Sequence, residues 1–163
     1  MSTAIRQQKE KQVEDIIKQF SEAKSFVLVD YKGLTVAQDT ELRRAFRNAG
    51  VNYHVMKNRL VKIALNKMGF TEFDEALKGP TSVAMAADDL SAPARITVEK
   101  SNAFKKMAIK CGMADGLFLD EEGCKVLAKL PSREILIAQL LGMLQAPIAS
   151  FARAIDAIAQ QKA

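Results

Sequence analysis

Tryptophan is absent from this chain of 163 residues, histidine occurs once, cysteine twice, and aromatic residues make up only 6 %. With 48 % hydrophobic residues the chain can still build a packed core, and that core has to be largely aliphatic. Cys111 and Cys124 form no CxxC pair and have no histidine nearby, which argues against a structural zinc site and a disulfide framework. They read as two partly buried free thiols in a reducing compartment. The lone His54 follows Tyr53 in a strand-like stretch with no identifiable nucleophile, so it reads as a structural histidine or one that touches a partner, not as a general base. A GxxxxGK(S/T) loop and a GxGxxG motif are both missing. The acidic pairs Asp88-Asp89 and Glu121-Glu122 read as turn and helix-start residues, lacking the histidines or spaced acids of a metal site. No catalysis, cofactor or metal is expected.

Long apolar runs are also scarce: no stretch of about 18 or more apolar residues is read as free of charges, which speaks against a membrane span. The N-terminal MSTAIRQQKEKQVEDIIKQF alternates charge with apolar residues, unlike a signal peptide, so a cytoplasmic protein is expected. Neither an internal repeat nor a low-complexity linker is found, and the length suits one domain, or a smaller domain with an appendage.

What the chain does have is an uneven charge distribution. Its net charge of +5 divides into +1 over residues 1–29, +5 over 30–67 and −1 over 68–163. A basic segment inside an otherwise balanced protein points to a face that binds a polyanion, nucleic acid above all.

Residues 5–20 place Ile5, Val13, Ile16, Ile17 and Phe20 at helical spacing, and Phe26-Val27-Leu28-Val29 reads as a strand buried on both faces. The stretch Asp30-Tyr31-Lys32-Gly33-Leu34-Thr35 follows as a basic corner, and Thr35 with Gln38 has the form of a capping box. The helix it opens stops at Asn48-Ala49-Gly50. Val51 to Met56 reads as a second strand, Lys57-Asn58-Arg59 as a second basic corner, and Leu60, Ile63, Ala64 and Leu65 as the next helix. Strand, corner and helix thus repeat, so the two corners can share one edge of a sheet. Gly33 lets the chain turn, Lys32 offers an ammonium to phosphate, and the helix start after Thr35 offers N–H groups. The Tyr31 ring can stack on an unpaired base or pack inward.

Further strands are expected at Ser82–Ala86, Met107–Lys110 and Gly116–Leu119, and helices from Ser91 to about Ala103 and from Asp120 to about Leu130. The fold class is α/β (α+β), a globular domain with a four- to five-stranded mixed sheet flanked by helices. From Pro131 a helical tail begins, in which Leu141, Leu144, Ile148, Phe151, Ile155 and Ile158 form a heptad stripe. Gly142 and Pro147 place a kink or a break between two helices near 142–147. The tail is expected to project, because a stripe exposed to water calls for a partner.

Six segments in order, DYKGLTV at 30–36, ELRR at 41–44, AGV at 49–51, VMKN at 55–58, LKGPT at 77–81 and LPSRE at 130–134, resemble the bacterial large-subunit ribosomal protein L-ten family, the stalk-base proteins. The resemblance covers essentially the whole chain and continues into an Ala-Pro-Ile helix at 146–148. It implies a domain of residues 1–130 that binds large-subunit (23S) ribosomal RNA beside ribosomal protein L-eleven. It also implies a segment of residues 131–163 that carries dimers of the acidic stalk protein L-seven/L-twelve, which recruit translational GTPases.

On this reading Tyr31, Lys32, Gly33, Arg43, Lys57, Asn58, Arg59 and Lys62 face RNA, while Leu144, Ile148, Phe151, Ile155 and Ile158 face the stalk protein. The family commonly has arginine at the Lys32 position, where a lysine loses bidentate phosphate contact, and threonine in many members at the Arg59 position. Only 16 residues follow Pro147, a span of about 24 Å if helical, which resembles the shorter tails that hold two dimers. An RNA-binding assembly factor related to the stalk-base protein is the alternative; it would keep the basic corners without needing the apolar tail.

Overall fold

The computed structural model describes residues 2–87 and 89–162, with side chains described for 9–87, 89–155, 157, 158 and 160. The expected inward position of Ile5 and the turn role of Asp88 therefore lie outside the described residues. The amphipathic N-terminal stretch forms α1 (Ser2–Glu22), which buries Val13, Ile16 and Phe20. Next come β1 (Ser25–Asp30), α2 (Val36–Asn48), β2 (Asn52–Val55) and α3 (Asn58–Lys67). A 3₁₀ turn at Glu72–Asp74 leads to β3 (Ser82–Ala86), α4 (Ala92–Phe104), β4 (Ala108–Ala114), β5 (Leu117–Asp120) and α5 (Glu121–Lys129). Asp89 acts at the start of α4: its carboxylate accepts from the Ser91 N–H and hydroxyl, both at 3.1 Å.

The five strands form one open sheet in the order β2-β3-β1-β4-β5, and every neighbouring pair is antiparallel. The strand count agrees with expectation, but the expected mixed pairing does not occur. Strand-helix alternation suggests parallel neighbours, yet β3 inserts between β1 and β2, so those two strands run the same way without touching. The apolar run of β1 is buried on both sides. Phe26 and Leu28 join Phe20, Val61, Leu65 and Phe73 under α1 and α3, while Val27 and Val29 join Leu42, Phe46 and Ile109 on the other face. Gly112 permits the close fit of β4, because a Cβ there would sit 2.8 Å from the Phe26 carbonyl oxygen and 2.9 Å from Cys124 Sγ.

Cys111 and Cys124 are both buried, in the cores on opposite faces of the sheet. Burial pushes the Cys111 thiol up to about 12 and the Cys124 thiol up to about 11. Neither thiol should react with a thiol reagent at about pH 8 in the native protein, and both should react in denaturant. Each folded value is raised, so each contribution to stability is full below the ordinary thiol value of 9.0 and is lost as pH rises through 11 to 12. Urea midpoints should accordingly fall on the alkaline side of pH 9; a flat alkaline limb would contradict the assignment.

Contacts divide the chain into two units, Met1–Leu130 and Pro131–Ala163. The second unit is the single helix α6 (Arg133–Lys162). The expected break does not occur: Pro147 lies inside a helix that runs on. Proline removes one N–H donor from a 30-residue helix whose neighbours at 140–146 and 149–152 are mostly strong helix formers, and the Ser150 hydroxyl donates to the Pro147 carbonyl at 2.8 Å. The reading that no long charge-free stretch exists also needs correction. Residues 135–152 carry no Asp, Glu, Lys or Arg. Arg133–Ile155 is long and apolar enough, by length and composition, to cross a membrane, with mean hydropathy 1.7. Gln139, Gln145 and Ser150 break the apolar run and hid this from a count of wholly apolar residues.

Candidate nucleic-acid interface and exposed helix

Sheet register brings the two basic corners together. Val29 at the end of β1 and Val55 at the end of β2 both pair with Ser82, the first residue of β3. The corners therefore lie at one sheet edge, on either side of the Gly79-Pro80-Thr81 approach to β3. Ala108 pairs with Asp30, so the α4–β4 connection reaches the same edge. A Cβ on Gly33 would stand 3.8 Å from the Lys106 side chain. Lys32, Lys57, Arg59, Lys78, Lys105 and Lys106 are all exposed around this edge. The last three lie outside the basic segment, and sequence reasoning missed them because only strand pairing brings residues 78 and 105–106 beside residues 32 and 57.

The first corner is held by its own side chains. Asp30 Oδ1 accepts from the Lys32 N–H at 2.9 Å, and Gly33 takes φ +86°, a left-handed value that glycine tolerates. Thr35 and Gln38 complete the capping box, with Thr35 Oγ1 accepting from Gln38 N at 3.4 Å and Gln38 Oε1 accepting from Thr35 N at 3.0 Å. The α2 start is thus partly satisfied within the chain, and the expectation of N–H groups free for phosphate fits the second corner better. There the α3 cap, Lys57, makes no side-chain capping bond, and the first turn holds no acid.

Two of the polar side chains here serve the fold. Asn58 Nδ2 donates to Leu77 O at 2.8 Å and Gly79 O at 2.6 Å, fastening the second corner to the loop before β3. Lys110 Nζ donates to Lys78 O, Pro80 O and Thr81 Oγ1 at 2.6, 3.1 and 2.8 Å, which commits its three donors to the same loop. Arg43 and Lys62 stand apart from the corners in ion pairs. Arg43 bonds Asp39 at 2.8 Å and lies 5.2 Å from the Tyr53 ring centroid; Lys62 reaches Asp74 at 2.8 Å. The bond to Asp39 raises the Arg43 pKa. Such exposed pairs are worth about 1 kcal/mol or less, so a phosphate can replace the carboxylate. His54 is exposed and lines a cleft of about 250 Å³ with Arg43 and Arg47. Tyr31 is half-buried. Tyr53 is buried against Phe46 with ring centroids 5.0 Å apart, and burial raises its hydroxyl pKa.

The second unit has a different chemistry. The stripe residues Leu144, Ile148, Phe151, Ile155 and Ile158 are between 51 % and 75 % exposed. Ile135, Leu136, Ile137, Leu140, Leu141 and Met143 are exposed as well, so the apolar surface begins a helical turn or more before the heptad stripe.

The family model described as "Ribosomal protein L10" matches residues 4–101, and that described as "Ribosomal protein uL10 C-terminal region" matches residues 130–163. This chain belongs to the uL10 family of ribosomal proteins. Among its relatives, the large ribosomal subunit protein uL10 of Clostridioides difficile (strain 630) is 46 % identical over 150 residues, covering 91 % of this chain and 89 % of the relative. The uL10 of Shouchella clausii (strain KSM-K16) is 44 % identical over 158 residues, covering 97 % and 95 %. That of Alkaliphilus metalliredigens (strain QYMF) is 46 % identical over 154 residues, covering 94 % and 93 %. Family membership gives this chain a structural place in the large ribosomal subunit, in the cytoplasm, and not an enzymatic one. The charge-free span of α6 accordingly belongs to a segment matched by the family's C-terminal model.

Proposed function

We propose that the unit of residues 1–130 binds large-subunit (23S) ribosomal RNA through the cationic sheet edge, beside ribosomal protein L-eleven. Residues 131–163 then anchor two dimers of the acidic stalk protein L-seven/L-twelve, which support recruitment of GTP-bound translation factors. The observation that carries the RNA half is the shared pairing of Val29 and Val55 with Ser82, since it turns two separated basic corners into one surface. Phosphate attraction is additive over such a surface and needs no particular base sequence. Lys32, Lys57 and Arg59 supply charge at the corners, with Tyr31 and Gly33 shaping the first of them. Asn58 holds the second in place, and Arg43 and Lys62 exchange their carboxylates for phosphates at the flanks.

The decisive measurement is RNA affinity against salt for the Lys32→Ala/Lys57→Ala double variant. Affinity should drop by roughly tenfold at physiological salt, and the slope of log K against log salt should become shallower by about one to two. An unchanged slope would remove both lysines from the interface. For the tail, native mass spectrometry should find two stalk dimers per chain; three would contradict the two-dimer proposal.

A further inference from the structure

Beside the second corner, α1 and α3 enclose a cleft of about 700 Å³. Val13, Leu60 and Ile63 give it an apolar floor, and Lys9, Lys57, Arg59 and Lys67 stand along its rim, with Glu10 as the acid among the described lining residues. We propose that this cleft receives a nucleotide turned out of the bound RNA, its base against the aliphatic floor and its flanking phosphates against the rim lysines and arginine. The inference rests on the RNA-binding reading above and gives it a second, concave subsite.

Three observations favour a nucleotide. The first is continuity, because Lys57 and Arg59 belong both to the sheet edge and to the cleft, so RNA lying on the edge reaches the opening without a gap. The second is charge: among the described lining residues four cations against one carboxylate select an anionic guest, and the uncapped α3 start adds positive dipole at the same place. The third is shape. The volume falls within the range of ligand pockets, about 300 to 1,000 Å³, and is ample for a single base with its sugar. Among the described lining residues there is no aromatic ring, so apolar contact holds the base and the subsite tolerates different bases.

The test uses the full-length protein and a transcript of the large-subunit RNA, with Lys9→Ala/Lys67→Ala and Ile63→Asp compared against wild type. Neither lysine of the double variant belongs to the sheet edge, and both are exposed, so the fold should survive. Each variant should bind RNA roughly tenfold more weakly, and the lysine pair should also flatten the salt dependence. Chemical probing of the ribose 2′-hydroxyls should reveal a nucleotide whose reactivity changes on binding wild type and stays unchanged with Ile63→Asp. Affinities within about twofold of wild type for both variants would overturn the cleft proposal. If Lys32→Ala/Lys57→Ala still weakens binding in that experiment, the sheet-edge reading stands alone. Loss of an acidic protein partner with RNA binding intact would overturn the cleft proposal as well.

Discussion

Deletion of residues 143–163 should abolish binding of the stalk dimers and leave RNA affinity and the melting of the remaining domain nearly unchanged. Among the described residues, no member of either core cluster comes from beyond residue 128. Truncation therefore opens no cavity in the domain. It does remove Leu144, Ile148, Phe151, Ile155 and Ile158, each of which can contribute about 1.5–3 kcal/mol when fully buried against a partner. Gross losses of that size exceed what a typical association retains after ordering and desolvation, so binding should disappear, not merely weaken. Phe151→Asp/Ile155→Asp in the intact chain should lower stalk-dimer affinity by about a thousandfold or more, without change in thermal stability. Co-purification, calorimetry and a thermal melt read the three outcomes separately. Unfolding of the truncated chain would mean that the helix belongs to the core.

Phe73→Ala should destabilise the first unit by about 3–5 kcal/mol. Phe73 is 1 % exposed, and its ring lies 5.3 Å from Phe26, 6.3 Å from Phe70 and 4.9 Å from Phe118, measured between centroids. Truncation leaves a void beside Phe26, which is fully buried in β1, with Phe70 and Phe118 on its outer side. Against a total stability of about 5–15 kcal/mol the loss is large, and urea unfolding should show it as an early midpoint with the slope retained. A cost below about 1 kcal/mol would show that the neighbouring rings close over the gap.

Local signals were readable in the sequence and long-range pairings were not. Thr35 and Gln38 announced a capping box because both partners lie within one turn, and the continuous apolar run of β1 announced burial on two faces. The shared edge of the corners also emerged from element order, although through an intervening antiparallel β3 and not through a mixed sheet. By contrast, the arrival of Lys78, Lys105 and Lys106 at that edge depends on strand register over long separations, which no local pattern encodes. The structural duties of Asn58 and Lys110 were hidden for the same reason: their acceptors are carbonyls some 20 to 30 positions away. At Pro147 only the break is overturned, since helix-forming neighbours on both sides carry the helix through the proline.

The paired bonds from Asn58 Nδ2 to Leu77 O and Gly79 O have a thermodynamic consequence for recognition. They fix the second corner before any ligand arrives, so its backbone has little conformational entropy left to lose in the complex. Affinity that would otherwise be consumed in ordering a loop remains available for contact, so the proposed RNA would meet a surface already preorganised.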